Sequence, residues 1–357
     1  SRSYYNILLL QYLFLFVMAL ILGWKILFIL LFVIIGMCTS QVTSRNIQAL
    51  SMLEKHELWM SSHGRTYKNE AEKEKRLNIF KENVKFIESF NNNGTKKPYK
   101  LGINAFADLT AEEFLSYYTT GLKLSNSYSQ IQSSFKYENL SDVPSVMDWR
   151  KSGAVTRIKH QGQCGCCWAF SAVAALEGAN KLSTNNLISL SEQQLLDCTT
   201  ENNGCNGGLM TTAYDFIIQN GGIATESNYP YEEYQDSCKS QEMNSAVKIN
   251  RYETLPSTES ALLKAVAKQP VSIGIAVNED FHLYQNGVYN GNCEGQELNH
   301  AVTVIGYGTE NDGTKYWLIK NSWGTSWGEN GYMKIARDTG IEGGLCGITT
   351  LASYPVL

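Results

Sequence analysis

Charge is scarce in this sequence. Asp, Glu, Lys and Arg make up 18% of its 357 residues against 43% hydrophobic residues, a balance that excludes wholesale disorder and allows a sizeable core. A basic surface is missing where most of the chain lies: residues 143–357 carry 14 Lys+Arg against 22 Asp+Glu, a net of -8. That region repels phosphates, so nucleic acid is excluded as a partner. No tandem repeat is present, which sets repeat arrays aside. Paired metal-ligand spacing is missing too. A zinc site from Cys164, Cys167 and His160 has no second ligand pair at the usual distance, so no metal and no cofactor is expected.

Residues 1–142 have the opposite sign, with 16 Lys+Arg and 12 Asp+Glu for a net of +4, as expected if the first part binds the second. Residues 7–37 are strongly apolar, interrupted mainly by Gln11 and Lys25. That length raises the question of a membrane-spanning helix. The chain opens on Ser1 and not on Met. With a start at Met18 the segment becomes a short n-region carrying Lys25, an apolar stretch over 26–35 and a small-residue exit at Thr39-Ser40. This is the layout of a cleaved signal peptide, expected here over residues 1–40, with a retained anchor over 7–24 as the alternative. Secretory entry places the rest in an oxidising compartment, where cysteines can pair.

A polar, strongly helical region follows. Glu72, Arg76, Phe80, Asn83, Ile87 and Asn91 recur at spacings of four, four, three, four and four, which puts all six on one helix face. In residues 102–108, Gly-Ile-Asn-Ala-Phe-Ala-Asp, alternate side chains would share one face of an extended segment. Residues 125–139 are Ser-rich and read as a loop or linker. Beyond Val143, residues 167–182 form an Ala-rich helix candidate. Ser191-Glu192-Gln193-Gln194 reads as a capping box opening a second helix, with Leu190 as a possible staple. From 271 the chain turns to β-like runs at 271–277, 301–307, 316–320 and 332–335. A helical half followed by a β half implies two subdomains facing each other across a cleft, with no further domain expected after Leu357.

The chemistry is concentrated in residues 161–171, Gln-Gly-Gln-Cys-Gly-Cys-Cys-Trp-Ala-Phe-Ser, where glycines make a tight approach and a helix begins at Cys167. A thiol at a helix N-terminus sits at the positive end of the macrodipole, which favours thiolate, the reactive form. It still needs a base to hand a proton to a leaving amine. Far downstream, His300 opens a strand, and Asn321 stands beside aromatics in residues 316–323. Cys, His and Asn, distant in sequence, fit a nucleophile, a base and an orienting group. Cys164-x-x-Cys167 also satisfies a thiol–disulfide exchange motif. That alternative requires a βαβ context and an unpaired Cys164.

These segments resemble the papain family of cysteine peptidases: the run around Cys167, His300, Asn321-Ser322-Trp323, the interspersed helical motif at all six positions, and Gly102 to Asp108. The resemblance covers residues 50 to 357 and is greatest to plant senescence-associated vacuolar members. It implies an α+β, papain-like two-subdomain fold, helical on one side and β-barrel-like on the other, with an N-terminal helical inhibitory prosegment. The implied segments are a signal region over 1–40, an inhibitory propeptide over 41–142 and a mature peptidase over 143–357. Val143-Pro144-Ser145-Val146-Met147-Asp148-Trp149 resembles the family's mature start.

Carried over by residue, the resemblance implies that Cys167 attacks the scissile carbonyl, that His300 shares its proton, and that Asn321 orients the imidazole. The Gln161 amide and the Cys167 N–H would form an oxyanion hole, Trp323 would shield the Asn–His pair, and Trp327 would line the leaving-group side. Gly207 and Gly208 would form the edge that pairs with substrate backbone. The matching specificity pocket is Leu209, Met210, Gly274, Leu298 and Leu351, all uncharged, with Leu351 at its floor. A hydrophobic or aromatic side chain is therefore expected one residue before the cleaved one.

The implied disulfides are Cys164–Cys205, Cys198–Cys238 and Cys293–Cys346, leaving Cys166 and Cys167 as thiols. Cys166 stands where papain has Ser. It is read as a small buried filler, with a redox partner for Cys167 as the sharper alternative. A noncatalytic, binding-only relative is disfavoured because every catalytic position holds the reactive residue. The resemblance further implies protein and peptide substrates, the chain's own propeptide as intramolecular inhibitor, cystatin-like inhibitors, a monomer free of membrane once mature, and a vacuole, lysosome or secreted space. Acidification is expected to protonate carboxylates including Asp108 and so weaken propeptide docking. Asn93 and Asn139 head possible glycosylation sequons, both in the removed part.

Overall fold

A computed structural model describes residues 51–94, 97–119, 122, 135–293 and 295–357. The signal or anchor expected over 1–40 and most of the loop expected over 125–139 lie outside the described residues. Among those described, no helix is long and apolar enough to cross a membrane. The chain divides into two compact units, Ser1–Lys73 and Glu74–Leu357. In the first, helix Met52–His63 opens on a complete capping box between Ser51 and Glu54 and ends on Gly64 in the left-handed region. Its buried Trp59 stacks on His56 at 5.7 Å, and His56 stacks on Tyr67 at 5.9 Å.

The expected helical stripe lies on helix Glu70–Asn92, which begins in the first unit's residues and continues in the second's. Its apolar members Phe80 and Ile87 are buried. Its amides hold loop backbone: Asn83 Nδ2 donates to the carbonyls of Ala107 and Leu109, both at 2.8 Å, and Asn91 exchanges two bonds with Leu101. Arg76 donates to Asp108 O at 3.1 Å and to the Glu113 carboxylate at 2.6 Å. This explains the mixture of charge, amide and apolar groups on one face, since a loop of bare carbonyls packs there.

Residues 102–108 depart from the expected extended segment. Only β1 (Tyr99–Leu101) is a strand, and the chain turns from Ala105. The Asn104 side chain accepts from Phe106 N at 2.9 Å while Ala107 N bonds to Asn104 O. An Asn that satisfies the backbone two residues on closes a turn in preference to a strand. Helix Ala111–Tyr118 follows, with its own capping box between Thr110 and Glu113.

The remaining strands are β2 (Met147–Asp148), β3 (Arg251–Thr254), β4 (Val271–Ile275), β5 (Tyr284–Tyr289), β6 (His300–Thr309), β7 (Lys315–Lys320), β8 (Tyr332–Ala336) and β9 (Ala352–Val356). They form a sheet in the order β1-β5-β8-β7-β6-β4-β9-β3, with β2 on β6. Most pairs are antiparallel, and β5–β8 is parallel. β6 and β7 pair across an irregularity between Val304 and Gly306. β3, β5 and β9 are additional to the runs expected from the sequence.

Helix Cys167–Thr184 is almost wholly buried. It is tied to the sheet by Ser171, whose hydroxyl donates to Val302 O at 2.7 Å and whose carbonyl accepts from Ser272. Helix Glu192–Cys198 shows only half the expected capping box. Ser191 Oγ caps Gln194 N at 2.9 Å, but the Gln194 amide turns away to Ala224 N and Ser240 Oγ. Tertiary partners outcompete the local reciprocal bond there. Two apolar clusters result: one gathers the strands together with Phe106, Phe114 and Tyr118, the other surrounds helix Cys167–Thr184 and takes in Leu122 and Leu351.

Candidate active site

Cys167 is the first residue of its helix, placed by a loop with a left-handed turn that favours glycine. Gly162 has φ +62°, and a Cβ there would lie 2.3 Å from Glu233 Oε2. A disulfide joins Cys164 to Cys205, and Gly165 N bonds to Cys205 O at 2.9 Å. Cys164 is thus removed from any exchange pair with Cys167. Two further disulfides join Cys198 to Cys238 and Cys293 to Cys346. Cys166 and Cys167 are buried and not disulfide-bonded.

Opposite the helix start, β6 presents His300 and Ala301. The Ala301 N–H reaches Cys167 Sγ at 3.3 Å, which brings thiol and imidazole-bearing strand together. The His300 ring bonds through Nε2 to Asn321 Oδ1 at 2.8 Å. Because Ser322 N also donates to that oxygen at 2.8 Å, Oδ1 is the acceptor and His300 Nε2 carries the proton. Nδ1 is buried with no hydrogen-bond partner, so its lone pair stays available. Trp323 stacks on the ring at 4.4 Å and 22°, and Trp327 and Phe114 meet Trp323 edge-on at 4.9 Å. Burial pushes the imidazole pKa down to about 4, against a smaller upward pull from Asn321. In this state the imidazole is neutral.

Gln161 is fully buried, and three bonds fix it. Its backbone N–H donates to Ser322 O at 2.9 Å, its Oε1 accepts from Ser322 Oγ at 2.7 Å, and Tyr231 OH donates to its carbonyl at 2.6 Å. Its Nε2 faces Cys164 O at 3.0 Å and Tyr118 O at 3.4 Å. The second contact comes from the N-terminal segment. Cys166 Sγ sits 2.9 Å from Tyr231 OH, and burial pushes its thiol pKa far up. Such a thiol is a poor nucleophile.

A leucine of the N-terminal segment lies in the pocket named from the sequence. Leu122 is buried in one apolar cluster with Met210, Ala301 and Leu351, against which Leu209 and Leu298 pack. Its N–H donates to Leu298 O at 3.2 Å. A Cβ on Gly274 would meet Leu122 Cδ1 at 2.8 Å and Leu351 Cβ at 3.2 Å, so the absent side chain makes the room. Gly207 has φ 112°, and a Cβ on Gly208 would fall 2.4 Å from the Asn202 side chain. Asn202 itself bonds both backbone groups of Leu209.

On the other side of the site, Trp327 donates to Phe281 O at 2.8 Å. Beside it His282 is buried under the N-terminal segment. Its Nε2 meets Phe106 O at 2.7 Å, its ring stacks on Phe114 at 4.8 Å, and its own carbonyl accepts from Asn104. Burial pushes its pKa down to about 4. Tyr231, Asn202 and His282 are absent from the sequence reading, and Ser322 appears there only within the Asn321-Ser322-Trp323 run, with no role of its own. Only Ser322, lodged between Asn321 and Trp323, had a signal in its position. Asn93 and Asn139 are both exposed.

The arrangement can supply a nucleophilic sulfur, a neutral base with an oriented ring, and an amide donor, under residues 102–119 and Leu122. Residues 143–356 match the family described as papain family cysteine protease, and residues 56–114 match the cathepsin propeptide inhibitor domain. The chain is 49% identical over 336 residues to the senescence-specific cysteine protease SAG39 of Oryza sativa subsp. japonica, covering 91% of this chain and 98% of that protein. It is 50% identical over 340 residues to the senescence-specific cysteine protease SAG12 of Arabidopsis thaliana, covering 92% and 98%. Among solved structures, a recombinant stem bromelain precursor superposes with TM-score 0.80 at 44% identity, covering 86% of this chain and 99% of that one. The proform of the ragweed pollen cysteine protease Amb a 11 gives 0.79 at 41%, covering 86% and 94%.

Proposed function

Since this chain belongs to the papain family of cysteine proteases and is an endopeptidase made with an inhibitory propeptide, we propose that it is an acid-activated zymogen whose chemistry runs through Cys167, His300, Asn321 and Gln161. The observation that carries this reading is the meeting of Cys167 Sγ with the His300–Ala301 strand, beside a ring held on Asn321. Cys167 attacks the scissile carbonyl as thiolate, and the developing oxyanion takes hydrogen bonds from Gln161 Nε2 and the Cys167 N–H. Imidazolium His300 then protonates the leaving amine, and water, deprotonated by His300, releases the acid from the thioester. Cys167→Ala should abolish peptidase activity and labelling by a thiol-directed epoxide after acid treatment. Residual activity in that variant would end the assignment.

The cover supports the rest of the reading. In the precursor Gln161 Nε2 spends part of its donor capacity on Tyr118 O, and Leu122 fills the pocket of Leu209, Met210, Gly274, Leu298 and Leu351. A chain that plugs its own pocket with leucine should prefer a hydrophobic residue at P2, the residue before the cleaved one. A peptide library in which Arg at P2 is cut as well as Leu or Phe would contradict this. Gly207, Gly208 and Trp327 are assigned to substrate backbone and the leaving-group side. The six-cysteine disulfide set fits an oxidising lumen, and we assign the protein to a vacuole or lysosome, with cystatin-like proteins as inhibitors and a monomeric mature form.

Acid release has a physical basis in a buried histidine. His282, met by Phe106 O and the Phe114 ring of the segment, has a pKa pushed to about 4 in the precursor, against an ordinary 6.5. A base whose pKa is lowered on docking takes up its proton more readily once the segment leaves. Docking therefore weakens as pH falls below about 6.5 and keeps weakening to about 4, by up to about tenfold per pH unit. Glu113 acts in the same direction. Burial raises its pKa, but Lys75, the Thr110 amide and Arg76 outweigh that and hold it low, so its stabilisation of the segment is lost as pH drops through the lowered value. His282 joins the carboxylates, Asp108 among them, as a group named for the switch.

A further inference from the structure

We propose that the precursor is opened between Ser141 and Asp142 by a second, already active molecule, with Leu140 seated in that molecule's apolar pocket. The inference rests on the P2 reading above and adds the bond. Residues 135–149 link the cover to the strands, and they are pinned at both ends. On the near side, Lys136 N donates to Glu253 at 2.7 Å, the Tyr137 hydroxyl donates to Gln269 at 3.2 Å with its ring stacked on Tyr354, and Lys264 Nζ donates to Glu138 O at 2.6 Å. On the far side, Tyr307 OH donates to Pro144 O at 2.9 Å, and Met147–Asp148 pair with β6.

Between these anchors Ser141 and Asp142 are exposed, and neither makes a hydrogen bond. A protease must draw several residues of substrate into extended form, and this is the stretch with least to break. Within it the apolar pocket selects. Tyr137 as P2 would put the cut inside the pinned turn. Val143 as P2 would make Pro144 the acylated residue, and its carbonyl is the one held by Tyr307. Val146 as P2 would cut within β2. Leu140 is only half-buried, packed against the strand-side apolar cluster and bonded through its N–H to Tyr137 O, and directs the cut to the Ser141 carbonyl, which makes no hydrogen bond.

The precursor's own pocket contains Leu122 and its Gln161 amide faces Tyr118 O, so the cut falls to another molecule. Its Cys167 sulfur bonds to the Ser141 carbonyl carbon as the C–N bond to Asp142 breaks, and the amine leaves protonated. Water then hydrolyses the thioester. One water is consumed, leaving a Ser141 carboxylate and a new N-terminus at Asp142.

The test uses Cys167→Ala precursor as substrate, which cannot cut itself, with a trace of acid-activated wild-type enzyme at acid pH. An Asn139→Gln background keeps any sugar off the residue two before Ser141. New N-termini are mapped by mass spectrometry. A chain beginning at Asp142 is expected. Its appearance should slow by about tenfold or more in Leu140→Asp and persist in Leu140→Phe, as a hydrophobic pocket discriminates by that order. A chain beginning at Val143 or elsewhere, formed equally fast from Leu140→Asp, overturns the proposal. If a peptide library still shows apolar P2 preference in that case, only this processing site is lost. A library without that preference removes the P2 reading and the proposal together.

Discussion

In the proposed mechanism His300 works through an asymmetry between its two nitrogens. Asn321 Oδ1 accepts from Nε2–H, which would leave Nδ1 as the base, and the Trp323 ring stacked on the imidazole would keep water from competing for the pair. Asn321→Ala frees the ring to turn and to change tautomer. We expect kcat to fall by about 10²-fold, within the usual range for general acid–base groups, with KM within a few-fold. Gln161→Ala removes one oxyanion donor, and kcat should fall by about 10²–10³. Steady-state kinetics on the acid-treated enzyme checks both, and a change confined to KM would contradict these roles. The residue types were legible from the sequence because thiol, imidazole and amide chemistry is narrow. Tyr231, which holds Gln161, was not, because a hydroxyl bonded to backbone has no sequence signature, and Ser322 was legible only as the neighbour of Asn321 and Trp323.

Among the elements, helix Cys167–Thr184 and the strands it faces share a buried ionic cluster. Lys159 Nζ donates to Glu177 at 3.2 Å and to Glu192 at 2.7 Å, and Lys320 Nζ lies 3.8 Å from Glu177 while donating to Thr156 at 2.7 Å. Lys159 is two residues before Gln161 and Lys320 is next to Asn321. Lys159→Met would leave two carboxylates buried with one cation between them. A loss of about 3–5 kcal/mol is expected, read as a lower midpoint in urea unfolding. A variant as stable as wild type would show that the cluster is neutral. Strands at 271–277 and 301–307 were legible because apolar runs there are bounded by Gly and Asn. β3, β5 and β9 were not, since their polar residues break the run and pairing alone makes them strands.

For the whole molecule, the precursor should remain inhibited at neutral pH and open between about pH 6.5 and 4, the span between the ordinary imidazole value and that of docked His282. His282→Gln keeps a side-chain donor for Phe106 O but takes up no proton, so its opening midpoint should move to lower pH. The profile comes from fluorogenic peptide turnover after timed incubations at each pH, and an unchanged midpoint would remove His282 from the switch. The 40-residue separation closed by Cys198–Cys238 predicts a loss of about 2–5 kcal/mol when both are replaced by Ser, measured by denaturant unfolding of the mature form.

The sequence by itself determined the family, the helix that begins at Cys167, the helical stripe from Glu72 to Asn91 and the groups proposed as reactive, because each rests on local spacing or on a residue type with few other uses. Only the tertiary structure decided that Cys167 meets the strand of His300 and Ala301 across more than a hundred residues of chain, that residues 102–108 turn where alternation suggested a strand, and that Leu122 packs among Met210, Leu298 and Leu351. It also decided that His282, unremarkable in the sequence, is buried beneath the cover. Burial, desolvation and long-range hydrogen bonds are properties of neighbours in space, and no periodicity along a chain encodes who those neighbours are.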